Sequence, residues 1–184
     1  KDFIREEKLG LLISEAINKV HIDDKTYNAM INELGHEKEL LKAEEIHNSR
    51  LKETQLQEID EKLSRLLDLF VEGAISSDEY KEKKASLINK KTHQLENPSE
   101  SNGKWLEPMK DFLTLAHQAS YIASGENVEE KVTFLRKASS NRRLLSSSLS
   151  VSYTYPFKIL ENSQKESLGS LYQKIRTYFK GLTP

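Results

Sequence analysis

The sequence predicts a mainly α protein with a long antiparallel coiled-coil hairpin, together with a small helical unit that carries a short β-hairpin. Apolar residues recur at helical spacing along most of the 184 residues, and charged residues make up 31% of the chain. Narrow apolar stripes among many charges are typical of solvated helices. A strict alternation of apolar and polar residues is found over residues 149–157, where it indicates a strand.

The N-terminal segment, residues 1–39, is predicted to form helices at the base of the hairpin. A first amphipathic helix is expected from about residue 2 to 20, with apolar positions at Phe3, Ile4, Leu9, Leu12, Ile13, Ala16, Ile17 and Val20. Asp23 or Asp24 then offers a cap for a second helix. Because no proline follows until Pro98, this helix is predicted to be very long, and Gly35 is its expected interruption.

The coiled-coil hairpin is predicted over residues 40–96. Its outgoing helix has the 3,4 spacing of a coiled-coil seam, at Leu56, Ile59, Leu63, Leu66 and Phe70. Gly73 and the cap residues 76–79 predict that the chain reverses there. A return helix is predicted from about residue 77 to 96. Its apolar stripe, which Lys84 and Lys91 interrupt, consists of Tyr80, Leu87, Ile88 and Leu95.

Three segments are predicted after the hairpin. Residues 97–103 are a linker, because Pro, Ser, Asn and Gly favour turns. Residues 104–160 form the small unit, with a helix from Trp105 that stops at Gly125, a short helix from Asn127, and a β-hairpin around residues 146–148. Residues 161–184 are a C-terminal amphipathic tail with one short helix.

Composition excludes several classes of protein. The chain has no Cys, which excludes disulfides, Cys-based zinc sites and thiol nucleophiles among its residues. No apolar run approaches the roughly 18–20 residues that span a bilayer, and no signal-peptide pattern is found, so a cytoplasmic protein without a membrane partner is predicted. Lys1 stands where an initiator Met is expected, which predicts a piece of a longer protein.

Charge is unevenly distributed, although the chain has a net charge of −1. Residues 1–97 contain 16 basic and 21 acidic residues, whereas residues 131–184 contain ten basic and two acidic ones. Such an asymmetry indicates either a nucleic-acid surface or scattered solvated lysines. The candidate contacts to DNA phosphates are Arg136, Lys137, Arg142 and Arg143, which fall around a predicted turn; a solvated basic turn is the alternative.

Large apolar residues gather at the predicted end of the hairpin, at Leu69, Phe70, Val71, Ile75 and Tyr80. A contact with the same surface of another subunit would bury them. The alternative is that they close the hairpin on itself.

No catalytic or metal site is predicted. Glu33-x-x-His36 and Glu44-x-x-His47 are similar to di-iron ligand motifs, but they lie about 16 Å apart along one helix and are interpreted as surface residues. The HExxH, P-loop and GxSxG motifs are absent, and Ser146, Ser147 and Ser148 have no base at a recognisable spacing. The chain is therefore predicted to be neither an enzyme nor a binder of small-molecule substrates.

Residues 58–84 resemble the coiled-coil region of large serine recombinases. In that family a helix ends in an aliphatic or aromatic residue, followed by Gly, Ile-Ser and an acidic-Tyr start of the return helix; Phe70, Gly73, Ile75-Ser76 and Glu79-Tyr80 match this order. Residues 3–9 resemble the stretch after the family's zinc ribbon. Residues 131–138, continuing to Pro156-Phe157, resemble its closing helix and strand, so the resemblance covers about residues 1–160.

The resemblance implies a DNA-binding and regulatory fragment of a site-specific recombinase. In the family the basic region grips DNA, the coiled coil contacts other recombinase subunits in synapsis, and a separate catalytic domain cuts DNA through a serine linkage. Neither that domain nor the ribbon cysteines are in this chain, so no cofactor is expected here and zinc is expected in the parent's ribbon. The alternative function is a structural coiled-coil adaptor with no DNA role.

Overall fold

The computed structural model describes residues 5–96, 103–145, 148–161, 163 and 166–182. The helices are α1 (Glu6–Asn18), α2 (Asp24–Val71), α3 (Ser77–Glu96), α4 (Leu106–Ser124), α5 (Val128–Ala138), α6 (Phe157–Glu161) and α7 (Leu168–Gly181), and the strands are β1 (Ser139–Leu145) and β2 (Ser148–Tyr153). The predicted fold class is confirmed. The chain forms two compact units, one from residues 1–38 and 103–184 and the other from residues 39–102.

Helix α1 is anchored in the core of the first unit. It packs against α4, α5 and β2, and Ile17 is completely buried. The Tyr153 hydroxyl on β2 donates a hydrogen bond to the Ala16 carbonyl at 2.7 Å, and the Ile22 amide donates to the Ala116 carbonyl on α4 at 3.2 Å. The predicted start of this helix at Phe3 and Ile4 lies outside the described residues.

Helix α2 is continuous, so the predicted interruption at Gly35 is wrong. Glycine costs a helix about 1 kcal/mol relative to alanine but, unlike proline, keeps its backbone N–H in the hydrogen-bond ladder. The neighbouring Leu34 is buried and helps to hold this turn in place. A single exposed glycine inside a long helical sequence is therefore tolerated.

Helix α4 supplies the largest share of the buried apolar residues described in the first unit, and α7 supplies four more. Helix α4 buries one face, at Leu106, Met109, Phe112, Leu113, Ala116, Ala119 and Ala123. The C-terminal tail packs on it through α7, which buries Leu171, Tyr172, Ile175 and Phe179. Burying one side chain such as Ile175 or Phe179 stabilises the fold by about 2–3 kcal/mol.

Strand β2 ends at Tyr153, so the predicted strand over residues 149–157 is too long. Pro156 has no N–H to donate to a strand ladder. The Lys158 amide instead donates to the Thr154 carbonyl at 3.0 Å, which begins a helix. Phe157 is the first residue of α6 and packs in the core against Phe112, with ring centres 5.1 Å apart.

The second unit is the hairpin of the C-terminal part of α2 and of α3. Phe70 stacks on Tyr80 with ring centres 4.6 Å apart, and the Lys91 ammonium bonds the Asp60 carboxylate at 2.5 Å. These two contacts define an antiparallel pair of helices. Ile59 and Leu66 on α2 are buried, whereas Tyr80 and Leu87 on α3 are only half-buried, so the seam is buried more deeply on the α2 side.

Two predicted connections fall largely outside the described residues. Residues 97–102 of the predicted linker and the hairpin residues Ser146 and Ser147 are not described, whereas Gly103 begins a turn before α4. The return helix was predicted from about 77 to 96, and α3 spans Ser77–Glu96.

Candidate functional site

The α5–β1 junction carries the four predicted DNA-contact residues. Helix α5 begins at Asn127, whose side-chain oxygen accepts hydrogen bonds from the Glu129 and Glu130 amides at 3.1 and 3.2 Å. Arg136 and Lys137 lie in its last turn and are exposed. Acidic residues at the start of a helix and basic ones at its end complement the helix dipole and so stabilise this helix.

Arg142 is bound to the end of α5. Its Nη1 donates to the Leu135 carbonyl at 3.3 Å, to the Ser139 carbonyl at 3.4 Å and to the Ser139 hydroxyl at 3.3 Å. The last carbonyls of a helix have no partner within the helix, so a guanidinium here satisfies them. Arg142 therefore has a structural role that the sequence pattern did not indicate.

Arg143 faces the other side of the ribbon. In the antiparallel register Arg142 pairs with Val151 and Arg143 with Ser150, and successive side chains of a strand point to opposite faces. Arg142 shares its face with Leu144 and Leu149, whereas Arg143 lies on the serine-rich face. The four basic residues predicted as one cluster do not all lie on one surface.

Arg136, Lys137 and Arg143 are exposed, and none of them forms an ion pair or hydrogen bond with another described residue. Other cations of the C-terminal third are engaged within the unit. Lys174 bonds Glu166, and Arg176 pairs with Glu37. The α5–β1 junction thus presents three cations whose charge no acidic residue of the described chain offsets locally.

The end of the hairpin is built by a glycine C-cap. Gly73 has φ +74°, a left-handed conformation that glycine adopts without a steric penalty. The Gly73 amide donates to the Phe70 carbonyl at 3.1 Å, and the Ala74 amide donates to the Leu69 carbonyl at 2.9 Å. This pair of bonds is a Schellman motif, and it ends α2 at the predicted reversal.

A capping box begins the return helix. The Glu79 carboxylate accepts hydrogen bonds from the Ser76 amide at 2.9 Å and from the Ser76 hydroxyl at 2.8 Å, and the Glu79 amide bonds back to that hydroxyl at 3.3 Å. The bonds from Ser76 lower the pKa of Glu79 below its ordinary value, and Lys83 adds a smaller effect. The hairpin end is therefore closed by local hydrogen bonds at both helix termini.

Some of the predicted tip residues close the hairpin on itself, and others are exposed as a contact with another subunit would require. Phe70 and Tyr80 close on each other, and Lys84 lies 5.4 Å from the Tyr80 ring centre. Val71 is 77% exposed and Leu69 is 43% exposed, while Ile75 is partly exposed. Two of the five residues thus hold the hairpin together, and Val71 and Leu69 present apolar surface to solvent.

A shallow groove of about 750 Å³ runs along the hairpin between α2 and α3. Small and polar residues of α3 line it, among them Ala85, Ser86 and Asn89, opposite Ile59 of α2. Because these side chains are small, they leave a depression beside the seam. In a coiled coil, side chains of a neighbouring helix pack into depressions of this kind.

His117 and its partners were missed by the sequence analysis. Its Nε2 lies 2.7 Å from an Asp24 carboxylate oxygen, and its ring stacks on Tyr27 with centres 4.2 Å apart. Asp23, not Asp24, caps α2, because its carboxylate accepts the Thr26 amide at 2.6 Å; these bonds from Thr26 lower the pKa of Asp23. Residues 93 positions apart give no local sequence signal.

Within the described part of the chain, no group of three or more His, Cys, Asp or Glu side chains is placed to hold a metal ion. Glu33, His36, Glu44 and His47 accordingly form no such group. None of the described helices is both long enough and apolar enough to cross a membrane.

Comparison with known proteins finds no relative. No family model matches the chain, and neither a search of curated proteins nor a search of solved structures finds a significant match.

Proposed function

We propose that this chain is the DNA-holding and regulatory region of a site-specific serine recombinase and that it acts by binding. The observation that carries the proposal is the set of exposed cations at the α5–β1 junction, Arg136, Lys137 and Arg143, which no described acidic residue neutralises. The resemblance of residues 58–84 to the coiled coil of that family supports it. The DNA-cutting step belongs to the separate catalytic domain of the family.

The side chains of the α5–β1 junction can bind the phosphate backbone of duplex DNA. Guanidinium groups fork onto phosphate oxygens, and such contacts hold a protein on DNA without reading its sequence. The side chains are carried on a capped helix and on a paired strand, so little order must be gained on binding. Arg142 contributes by holding the end of α5 against the ribbon.

The coiled-coil hairpin is proposed to contact the hairpin of another subunit during synapsis. The exposed Val71 and Leu69 and the groove beside Ala85 and Ser86 offer the apolar surface and the depression for such a contact. A few side chains fall well below the roughly 1,000 Å² expected of a stable interface. The contact is therefore weak in isolation and is strengthened when DNA holds two subunits together.

A DNA titration tests the first part. Binding of a labelled duplex is measured by fluorescence anisotropy at several salt concentrations for the wild type, for R136A/K137A/R143A, and for K8A/K104A/K110A as a charge-matched control. We expect salt-sensitive binding that the junction variant loses and the control keeps. The slope of log affinity against log salt should fall by about 0.9 for each phosphate contact removed.

The rival function is a coiled-coil adaptor with no DNA role. It predicts no duplex binding even at low salt, or an equal loss in both triple variants because only net charge matters. Either result would reject the proposed DNA role. An adaptor would instead bind a partner through apolar hairpin surface, with little dependence on salt.

A further inference from the structure

A second groove, separate from the α5–β1 junction, lies between α6 and α7 in the first unit. Its volume is about 690 Å³, within the range of small-ligand sites. The residues that line it include two tyrosines, two lysines, an aliphatic residue and a carboxylate, namely Tyr155, Tyr178, Lys158, Lys174, Ile159 and Glu166.

The two tyrosines form a fixed aromatic platform. Tyr155 and Tyr178 stack with ring centres 5.7 Å apart and an angle of 24° between their planes, and the Tyr178 hydroxyl lies 3.4 Å from the Tyr155 carbonyl, to which it donates. Tyr178 in turn packs edge-on against the buried Phe179 at 5.2 Å. Tyr155 remains 57% exposed, although its position is set by the core beneath it.

The two lysines near the tyrosine pair differ in whether an acidic residue pairs with them. Lys174 is bonded to Glu166, which also accepts a hydrogen bond from the Ser170 hydroxyl at 3.3 Å, so that end of the groove is internally neutralised. The Lys158 ammonium lies over the Tyr155 ring, 5.9 Å from its centre, and forms no ion pair with another described residue. The groove therefore offers an exposed aromatic ring and, over it, one cation that no described acidic residue pairs with.

We infer that this groove binds a nucleotide, with the base stacked on Tyr155 in place of the Lys158 ammonium, which then pairs with the phosphate. Stacking on an exposed aromatic ring next to a basic side chain is how unpaired bases are held, because every base has a π-face. A base inside duplex DNA has both faces covered by its neighbours and cannot use the platform. The nucleotide is either free in solution or part of a single strand.

Backbone hydrogen bonds connect the groove to the α5–β1 junction. The Thr154 amide and hydroxyl both donate to the Ala138 carbonyl at the end of α5, at 3.0 and 3.2 Å. The Lys158 amide then donates to the Thr154 carbonyl at 3.0 Å. Lys158 is thus tied through Thr154 to the helix end that carries Lys137. The inference goes beyond the proposed duplex contact and does not depend on it.

The test uses the whole chain and two probes, a labelled 12-residue oligothymidylate and free thymidine monophosphate. Binding of the oligonucleotide is followed by anisotropy, and binding of the mononucleotide by its nuclear magnetic resonance line broadening. The variants are Y155A, Y155F and K158Q. Y121A is the matched control, because Tyr121 is an 85% exposed tyrosine of α4 that does not line the groove.

We expect Y155A to weaken binding about tenfold, because removing one stacking ring costs roughly that much. Y155F and Y121A should bind as the wild type does, and K158Q should weaken binding and reduce its salt dependence. Binding of both probes indicates that a free nucleotide suffices, and binding of the oligonucleotide alone indicates a single strand. No binding of either probe at low salt, or equal losses in Y155A and Y121A, would overturn the inference whatever the duplex titration gives.

Discussion

Arg142 and Arg143 are neighbours in the sequence but lie on opposite faces of the β1–β2 ribbon, because Arg142 pairs with Val151 and Arg143 with Ser150. The guanidinium of Arg142 is bonded to the end of α5, whereas that of Arg143 has no partner among the described residues. One arginine therefore stabilises the fold, and the other is available to a ligand.

Alanine substitution should separate these two roles. R142A removes hydrogen bonds to the Leu135 and Ser139 carbonyls, so we expect it to lower the free energy of unfolding by about 1 kcal/mol. R143A should change it by less than about 0.5 kcal/mol but weaken DNA binding. Urea denaturation followed by the fluorescence of Trp105, which is buried in the same unit, measures the difference. Equal destabilisation by both variants would contradict the assignment.

Two glycines should respond to alanine with opposite signs. A Cβ added at Gly35 meets no atom within 4 Å, so G35A should raise the free energy of unfolding by up to about 1 kcal/mol. Gly73 has φ +74°, where a Cβ is strained, so G73A should destabilise the hairpin by about 1 kcal/mol.

Urea denaturation followed by circular dichroism measures both variants. G73N serves as a control, because asparagine tolerates the left-handed conformation and should lose less stability than alanine. A stabilising G73A would mean that the Schellman motif does not form in solution.

The Ser76–Glu79 capping box should make hairpin stability depend on pH. Hydrogen bonds from Ser76 hold the pKa of Glu79 below its ordinary value of 4.5. The stabilisation is therefore complete above about pH 4.5 and is lost as the pH falls through the lowered pKa. E79Q should be less stable than the wild type at pH 7, and the difference should shrink as the pH falls through the lowered pKa of Glu79.

Urea titrations at pH 7, 5 and 3 test this dependence. E82Q is the matched control, because Glu82 lies exposed on the same helix without a hydrogen bond to another described residue. A pH-independent difference between E79Q and the wild type would show that the carboxylate charge of Glu79 does not matter.

Substitutions at the hairpin tip should distinguish residues that stabilise the hairpin from residues that contact another subunit. F70A removes the stack on Tyr80 and should destabilise the hairpin, by about 1 kcal/mol or more. V71D changes a side chain that is 77% exposed, so it should leave the circular dichroism spectrum unchanged but abolish concentration-dependent self-association.

Sedimentation velocity over a range of concentrations measures that association, with V128D as the control at an exposed valine of the first unit. Association that survives V71D would show that the contact does not depend on Val71.

Local patterns predicted most of the fold. The 3,4 spacing from Leu56 to Phe70, the glycine after it and the Ser76-x-x-Glu79 box each depend on residues within a few positions, and each is found in the structure. The predictions were wrong where two local preferences pointed to different structures. Gly35 did not interrupt α2, because the residues on both sides of it favour a helix. The alternation of apolar and polar residues continues past Pro156, but the strand ends before this proline.

The candidate sites were less accessible to sequence reasoning. The basic residues around position 140 were found from charge alone, but their division between two faces depends on the register of β1 against β2. The Tyr155–Tyr178 platform joins residues 23 positions apart through a turn and a helix. The stack of His117 on Tyr27 likewise depends on how α2 packs on α4. Such proximities follow from tertiary packing, which periodicity does not report.

The first unit is assembled from two stretches of chain, residues 1–38 and 103–184, and the hairpin is inserted between them. Lys38, at the end of the first stretch, bonds Glu107, near the start of the second, at 3.1 Å. The hairpin is thus a modular insert in a domain whose core lies in its two flanking stretches. Whole heptads added to or removed from both arms would change the length of the hairpin while leaving every core residue of the host domain unchanged.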